Sequence, residues 1–299
     1  MDRLDMMRIF AAVAEARGFA PAARRLGLSP AAVTRAVAAL EDRLGARLLH
    51  RTTRVVRLTE AGAHFLADCK RILGEIDEAE AAAAGIHAEP RGQLVVTAPL
   101  MFGRLHVAPI VLDFLKRHPR VSAQMLFLDR VADLVEEGID AAVRIGALPD
   151  SSLTATRVGS MRRIVCASPG YLRARGTPRR PADLVDHDAV AFVGITPHRE
   201  WSFGLEDARE VGAPNVRFEV NSAEVAVAAA AAGYGFTRVL FYQAARELRA
   251  GTLRVVLQEF EPPPLPIHVV HAGGRRVSAR VRAFVDFAAA RLRANKMLR

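Results

Sequence analysis

The first 44 residues contain three short stretches in which apolar positions recur at helical spacing. The first helix is predicted over residues 4–16 and ends before Gly18. Its apolar face consists of Leu4, Ile9, Phe10 and Val13. Pro21 suits the first turn of a second helix, which we expect to end near Leu26.

A third helix is predicted over residues 31–44, because Ser29 supplies a side-chain cap and Pro30 fits the first helical position. Thr34 and Arg35 fall outside its apolar stripe. The stripe consists of Val33, Val37, Leu40 and Leu44. Two short helices joined by a glycine-containing turn are the layout of a helix-turn-helix. The capped helix is then the one expected to enter the major groove of DNA with its N-terminal residues.

A small β-hairpin is predicted over residues 48–59, which begin basic and hydroxyl-rich and end in β-type alternation. Four residues at its base carry groups that donate hydrogen bonds to phosphate: Arg51, Thr52, Thr53 and Arg54. An ordinary basic surface loop is the alternative interpretation. Beside a capped helix-turn-helix, we favour a hairpin wing.

A long helix is predicted from residue 60 to about residue 88. Its apolar residues step by four and three over about three heptads: Phe65, Cys69, Ile72, Ile76, Ala79, Ala83 and Ile86. Such a helix is about 40 Å long at 1.5 Å per residue, and its apolar seam needs a surface to pack against. We expect a second copy of the chain to supply that surface; packing on the chain's own domains is the alternative.

After the Pro-Gly break at residues 89–92, the pattern changes to alternating strands and helices. Strands are predicted at residues 94–98, 121–128, 139–145, 164–167, 189–193, 216–220, around 236, 253–257 and 267–271. Helices are predicted at residues 104–117, 131–137, 224–232, 239–249 and 277–294. This order predicts an α/β region of two subdomains, with a ligand crevice where strands end.

The net charge of +10 is not spread evenly along the chain. Residues 1–62 hold 11 arginines and six acids, a net charge of +5, which suits a nucleic-acid surface. Residues 63–91 have a net charge of −3. Residues 275–299 hold eight basic residues against Asp286, a surplus that a compositional preference for arginine explains equally well.

Only two cysteines, Cys69 and Cys166, occur in the chain. This number excludes a disulfide framework or a cysteine-based zinc cluster, and we expect Cys166 to be buried. The N-terminus carries charges within its apolar run, and no apolar run is long enough to cross a bilayer. We therefore expect a soluble, cytoplasmic protein without membrane contact, and no export signal that would suit a solute-binding protein for transport.

The sequence lacks the motifs of an enzyme. It contains no phosphate-binding glycine loop and no Gly-x-Ser-x-Gly elbow. His268 and His271 lie three apart on a predicted strand and so point to opposite faces, which does not suit shared metal ligation. We expect neither catalysis nor a cofactor.

Five segments resemble the LysR-type transcriptional regulators, and together they extend the resemblance over essentially the whole chain. Residues 19–62 are the most specific of these, FAPAARRLGLSPAAVTRAVAALEDRLGARLLHRTTRVVRLTEAG. The others are GQLVVTAP at 92–99, DAAVRIG at 140–146, CASPGYL at 166–172 and GYGFTRVL at 233–240.

The resemblance implies an N-terminal all-α winged helix-turn-helix with a long linker helix. It also implies a C-terminal α/β effector domain of two Rossmann-like lobes, like a type 2 periplasmic binding protein. The implied boundaries are 1–59, 60–89 and 90–299, with lobe I at 90–161 and 267–299 and lobe II at 162–266. The implied partners are double-stranded DNA at pseudo-palindromic promoter sites, further copies of the chain in a homodimer or homotetramer, and a small-molecule effector. RNA polymerase is a further candidate partner.

By position, the resemblance assigns the start of the third helix to DNA: Ser29, Pro30, Ala31, Thr34 and Arg35. Arginine bonds guanine in two places, while threonine and alanine suit the thymine methyl group. Relatives often carry a polar amide where this chain has Pro30, so one base contact is expected to be missing. Ala20 stands where a serine or threonine cap is usual, which weakens the second helix by about 1 kcal/mol.

The resemblance also implies an effector site between the lobes. The residues expected to form this site are Thr97, Pro99, Leu100, Met101, Phe102, Arg144, Gly146, Asn221 and Thr237. Free backbone amides at Phe102 and Gly103 are expected to hold a carboxylate, so the effector is expected to be a small organic anion. Structural roles for these residues, including an internal ion pair for Arg144, are the alternative. A pocket without function would leave a constitutive DNA-binding protein.

Overall fold

The computed structural model describes residues 2–51, 56–83, 89–148, 153–193, 201–204, 210–273 and 277–298. For Arg51, Glu75 and residues 77–83, it describes the backbone alone. The chain forms two compact units, residues 1–93 and 94–299. None of the helices in the described residues is long and apolar enough to cross a membrane.

The first unit begins with three packed helices, α1 (Arg3–Ala16), α2 (Phe19–Leu26) and α3 (Pro30–Leu44). The three predicted helices are thus confirmed. Their core is formed by fully buried apolar side chains, among them Phe10, Val13, Ala23, Val33, Val37 and Leu40. Leu44 was placed in the buried stripe, but it is 37% exposed because it lies in the last turn before Gly45.

The turn after α1 differs from the expectation about Ala20. Helix α2 begins at Phe19, so Gly18 occupies the cap position and makes no side-chain cap bond. Ala20 lies inside the first turn, where no capping side chain acts, and the predicted weakening at that residue is wrong. The α2 N-terminus lacks a cap because Gly18 has no side chain.

A two-stranded hairpin and a long helix complete the first unit. Strands β1 (Leu49–Arg51) and β2 (Val56–Leu58) pair antiparallel, with Leu49 opposite Leu58. This pairing confirms the predicted hairpin. The long helix α4 is described over Glu60–Ala83, and the remainder of the predicted helix, including Ile86, lies outside the described residues.

The first part of the α4 seam packs within its own unit. Cys69 is fully buried in the core that α1–α3 form, and the Phe65 ring lies 5.7 Å from that of Phe10. Ile72 and Leu73 also pack on this core. The assignment of Cys69 to the dimer interface is therefore wrong, because its side chain has no surface left for a partner.

The second unit contains two five-stranded sheets. The first has the order β4-β3-β5-β14-β6 and the second the order β11-β8-β12-β7-β13. Their strands are β3 (Gly92–Ala98), β4 (Val121–Phe127), β5 (Ala141–Ile145), β6 (Leu153–Met161), β7 (Arg163–Ala167), β8 (Asp188–Phe192), β11 (Asn215–Val220), β12 (Phe236–Leu240), β13 (Arg254–Val256) and β14 (Leu265–Ala272). A separate hairpin pairs β9 (Trp201–Phe203) with β10 (Glu210–Gly212).

Helices cover these sheets and bury their apolar faces. The first sheet packs against α5 (Leu100–Phe102), a π-helical turn (Gly103–Val107), α6 (Ala108–Arg117) and α10 (Ala279–Arg293). The second sheet carries α7 (Pro169–Arg175), α8 (Ala223–Ala231) and α9 (Phe241–Arg249). Among the described residues, short 3-10 helices lie at Pro181–Asp186, Gln258–Phe260 and Lys296–Leu298. The chain passes between the sheets twice, from β6 to β7 and from β13 to β14, which gives two lobes.

The predicted helix at residues 131–137 is wrong, since this segment is a run of turns. Val131 and Val135 are 74% and 71% exposed, so their helical spacing does not mark a buried face. Polar side chains close the turns instead: the Asp133 carboxylate accepts from the amides of Val135 and Glu136. Arg130 makes a bidentate ion pair with Glu137 across the segment.

Candidate nucleic-acid interface and ligand cleft

The start of α3 is an exposed surface on a rigid base. The Ser29 hydroxyl accepts from the amide of Ala32 at 3.2 Å, so it caps the helix as predicted. Thr34 and Arg35 are exposed on the side opposite the buried stripe, as are Pro30 and Ala31 in the first turn. The Thr34 hydroxyl donates to the carbonyl of Pro30 at 2.9 Å. Thr34 therefore presents its methyl group and its oxygen lone pairs to the outside of the helix, and Arg35 presents the N–H donors of its guanidinium.

A buried carboxylate fixes the hairpin to α3. Glu41 is only 7% exposed, and its Oε1 accepts from the amides of Leu48 at 2.8 Å and Leu49 at 3.0 Å. A buried amide without a partner costs about 1–3 kcal/mol, so these two bonds hold the start of β1 firmly. The sequence analysis missed Glu41 because its partners are seven and eight residues away.

The base of α4 is joined to the same hairpin. The Thr59 hydroxyl donates to the Arg47 carbonyl at 2.7 Å and accepts from the Gly62 amide at 2.9 Å. A side chain at Gly62 would overlap the Leu48 carbonyl oxygen, so the glycine allows close approach of the two backbones. Helix α3, the hairpin and the start of α4 therefore form one rigid block.

A charged triad ties the outer faces of three helices in this block. The Glu15 carboxylate lies 2.9 Å from Arg25 and 3.1 Å from Lys70, which belong to α2 and α4. Burial raises the pKa of Glu15, but the two cations lower it more, so the pKa lies below its ordinary value. Glu15 therefore remains ionised in the folded unit.

The predicted wing residues are placed only in part. Arg51 ends β1, and its side chain lies outside the described set. Thr52, Thr53 and Arg54 lie outside the described residues. Their contact with phosphates stays a prediction.

In the second unit, the carboxyl end of β3 leads into the residues predicted to bind a ligand. Thr97 is 2% exposed, and its hydroxyl donates to the Leu126 carbonyl at 2.8 Å. The structure brings Thr97, Pro99 and Arg144 together around a cavity of about 50 Å³. This volume holds one or two water molecules, far below the 300–1,000 Å³ typical of a ligand pocket.

Arg144 anchors a loop in this arrangement. Its guanidinium donates to the carbonyls of Arg130 at 3.2 Å and Ala132 at 2.6 Å. Burial lowers the pKa of Arg144, and the charge of Glu137 opposes that effect. The guanidinium thus holds the 130–132 loop, the structural role that the sequence analysis left open as the alternative.

One of the two backbone amides predicted to hold a carboxylate is already bonded. The Gly103 amide donates to the Pro99 carbonyl at 2.6 Å. The Leu100 amide before them donates to the Asp129 carboxylate at 2.9 Å. The Gly103 amide is therefore not available to a carboxylate, and a contact between an anion and the Phe102 amide stays a prediction.

Thr237 is also misplaced as a ligand residue. It is fully buried near the amino end of β12, opposite Cys166 of β7, whereas ligands bind at the carboxyl ends of parallel strands. Its hydroxyl has no hydrogen-bond partner among the described residues. Cys166 is buried as predicted, and burial raises its pKa to about 12.

The remaining predicted ligand residues lie at strand ends. Leu100 and Met101 form the first helical turn after β3, with Leu100 half exposed. Gly146 follows β5 with a φ of 124°, which favours glycine, and its amide donates to Pro266. Asn221 is exposed directly after β11.

Two ion pairs that were not predicted lie where the lobes meet: one joins the lobes, and the other joins the two segments that pass between the sheets. Arg104, in the π-helical turn, pairs with Glu224 in the first turn of α8. Arg162, between β6 and β7, makes a bidentate pair with Glu261, between β13 and β14, at 2.7 and 2.8 Å. Each pair joins residues about 100 positions apart or more, a separation at which no local pattern indicates a contact.

The described residues contain no group of three or more His, Cys, Asp or Glu side chains that could hold a metal ion. Around the strand ends, the ionisable side chains pair with each other or with the backbone instead.

Comparison with known proteins gives two family matches that cover most of the chain. Residues 4–63 match the bacterial regulatory helix-turn-helix protein model of the lysR family, and residues 87–293 match the LysR substrate binding domain. A HTH-type transcriptional regulator of Xanthomonas campestris pv. campestris is 40% identical over 95% of this chain and 84% of its own length. An HTH-type transcriptional repressor of Pseudomonas aeruginosa is 36% identical over 96% of this chain and 91% of its own length.

Further relatives agree. The HTH-type transcriptional activator AaeR of Escherichia coli is 30% identical over 96% of this chain and 93% of its own. Among solved structures, the LysR-type transcriptional regulator CrgA of Neisseria meningitidis has a TM-score of 0.60 and 29% identity. The match covers 97% of this chain and 99% of the CrgA chain. The helix-turn-helix with an exposed α3, the two sheet lobes and these matches lead to one conclusion: the chain belongs to the LysR family of transcriptional regulators, with a DNA-binding unit and an effector-binding unit.

Proposed function

We propose that this regulator binds a pseudo-palindromic promoter site as a dimer or as a pair of dimers, in the cytoplasm. Each α3 would enter a major groove with Ala31, Thr34 and Arg35 facing base edges. The observation that carries this proposal is the exposed, capped start of α3 opposite a fully buried stripe. Arg51, Thr52, Thr53 and Arg54 would contact phosphates beside it, because the hairpin is bonded to α3 through Glu41.

The dimer would form through the distal part of α4. Ile72 and Leu73 are the last described side chains of this helix that pack on the unit's own core. Ile76, one turn further, is half buried and remains for a partner, with Ala79 and Ala83 continuing the spacing. Two such helices would place two copies of α3 in successive major grooves about 34 Å apart.

A glutamate at the seam tests this dimer. Ile76→Glu should convert the full-length protein to monomer in sedimentation velocity and abolish the paired footprint on operator DNA. Ala67→Glu, on the exposed face of the same helix, is the matched control and should leave both unchanged. Retention of the dimer in Ile76→Glu would contradict the assignment of the interface.

The effector would be a small organic anion that binds between the lobes, near the carboxyl ends of β3 and β11. The support is that Thr97, Pro99, Leu100 and Met101 lie at the end of β3, that Asn221 follows β11, and that the Arg104–Glu224 pair joins the helical segments after these two strands. A thermal-shift screen of small carboxylates tests this, because a ligand at 100 times its Kd stabilises by about 2.7 kcal/mol. A hit that also changes the operator footprint supports the proposal. No stabilisation by any member of the screen would favour a constitutive DNA-binding protein.

A further inference from the structure

The Arg104–Glu224 pair connects the two helices that begin at the facing strand ends. Arg104 lies in the second turn after β3, and Glu224 lies in the first turn after β11. The two side chains are 59% and 52% exposed. The pair therefore joins the two lobes at a place that is open to solvent.

The partner of Arg104 is more easily replaced than the partners of Arg144. Arg144 is held by two backbone carbonyls, and the Leu100 and Gly103 amides are bonded within the fold. Arg104, by contrast, is held by an exposed ion pair, a kind of contact that contributes little to stability. Its partner is itself a carboxylate, so a carboxylate is the kind of group that this guanidinium binds.

Glu224 is easily released from the pair. It lies in the first turn of α8, where the partial positive charge of the helix N-terminus stabilises a carboxylate. Water solvates the group on release because more than half of its side chain is already exposed. A carboxylate from outside the chain therefore replaces it at little cost in free energy.

Exposed apolar residues lie close to the pair along the chain. Leu100 lies four residues before Arg104 and is 49% exposed. Val225, beside Glu224, is 44% exposed, and Met101 is half buried. A ligand that combines a carboxylate with a small apolar body matches this combination of charge and surface.

We propose that Arg104 is the anion receptor of the ligand cleft and that Glu224 is its built-in competitor. An effector carboxylate would displace Glu224 from Arg104, and this exchange would break the contact between the lobes. The inference rests on the proposed function, since it names the residue and the ligand class of that same cleft.

Benzoate and benzamide, which share a shape and differ in charge, provide the binding test in the full-length protein. In Glu224→Gln, the affinity for benzoate should rise by up to about fivefold over wild type, the factor that an exposed ion pair allows. Benzamide affinity should not change. In Arg104→Gln, and in the double variant, the preference for benzoate over benzamide should disappear. The proposal would be overturned if wild type and Glu224→Gln bound benzoate with equal affinity. It would also be overturned if neither protein bound benzoate.

Hydrogen exchange gives a test that needs no ligand. Arg104→Gln and Glu224→Gln should each raise amide exchange at residues 100–107 and 222–231. Asp113→Asn, which breaks the exposed pairs of Asp113 with Lys116 and Arg291 within one lobe, is the control and should leave both segments unchanged. Unchanged exchange in the two cleft variants would show that the pair does not hold the lobes together. Failure of the proposed function is a separate result, namely an operator footprint that no small organic ligand alters.

Discussion

Replacement of Glu41 tests how the recognition helix and the hairpin are held together. Glu41→Ala removes the acceptor for two buried amides, those of Leu48 and Leu49. At about 1–3 kcal/mol for each unsatisfied group, the first unit should lose roughly 2–6 kcal/mol of unfolding free energy. Glu41→Gln keeps an oxygen acceptor in the same place, so it should lose clearly less.

The assay must separate the two units. The single tryptophan, Trp201, and all three tyrosines belong to the second unit, so their fluorescence does not report on the first. Hydrogen exchange of α1 to α4 in urea measures the first unit directly within the full-length chain. Operator affinity should fall in parallel, because the hairpin loses its fixed position beside α3.

The exposed neighbour Asp42 supplies the control. Asp42→Ala removes a carboxylate from the same turn of α3 without uncovering a buried amide, so its effect should stay within about 0.5 kcal/mol. A loss from Glu41→Ala no larger than that from Asp42→Ala would refute the reasoning. The two amides would then be satisfied in some other way.

Three further predictions concern groups that the fold places in unusual surroundings. Thr237→Val removes a buried hydroxyl that has no partner in the described residues, so urea unfolding followed by Trp201 fluorescence should show an unchanged or higher stability; a loss above 1 kcal/mol would contradict this. Gly62→Ala should destabilise the first unit and weaken operator binding, because a side chain there overlaps the Leu48 carbonyl; wild-type affinity would contradict it. Burial lowers the pKa of His106, His187 and His268 from 6.5, so the unfolded chain binds more protons and the second unit should lose stability as the pH falls below about 6.5; constant stability between pH 7 and 5 would contradict it.

Local signals in the sequence were sufficient for the DNA-binding unit. Ser29 and Pro30 mark the start of α3 through chemistry contained within four residues, and the cap bond to Ala32 follows from it. The alternation after residue 54 likewise places β2. In such elements, the residues that form the structure are neighbours in sequence.

Contacts between distant residues account for the errors. The seam on α4 has the spacing of a dimer interface, but the Phe65 ring packs against Phe10 of α1 in the same unit. The Leu100 amide after β3 is free by sequence, yet the Asp129 carboxylate accepts a hydrogen bond from it. Periodicity does not identify which surface covers an apolar face, nor which side chain completes a helix end.

Strand β6 was also absent from the sequence prediction. Its nine residues, Leu153–Met161, include threonine, arginine and glycine and show no alternation. It forms because β14 pairs with it from Leu265↔Met161 to Ala272↔Leu153, with one register shift on the way. The partner strand, more than 100 residues later, determines this conformation.

The central claim is that the exposed start of α3 contacts base edges, and Arg35 tests it most directly. Binding of Arg35→Ala to its operator and to scrambled DNA should be compared at one salt concentration with Arg43→Ala, an exposed arginine at the other end of the same helix. The account predicts that Arg35→Ala loses about 1–3 kcal/mol on the operator and nothing on scrambled DNA, while Arg43→Ala keeps its sequence preference. Equal losses on both DNAs, or an intact preference in Arg35→Ala, would contradict it.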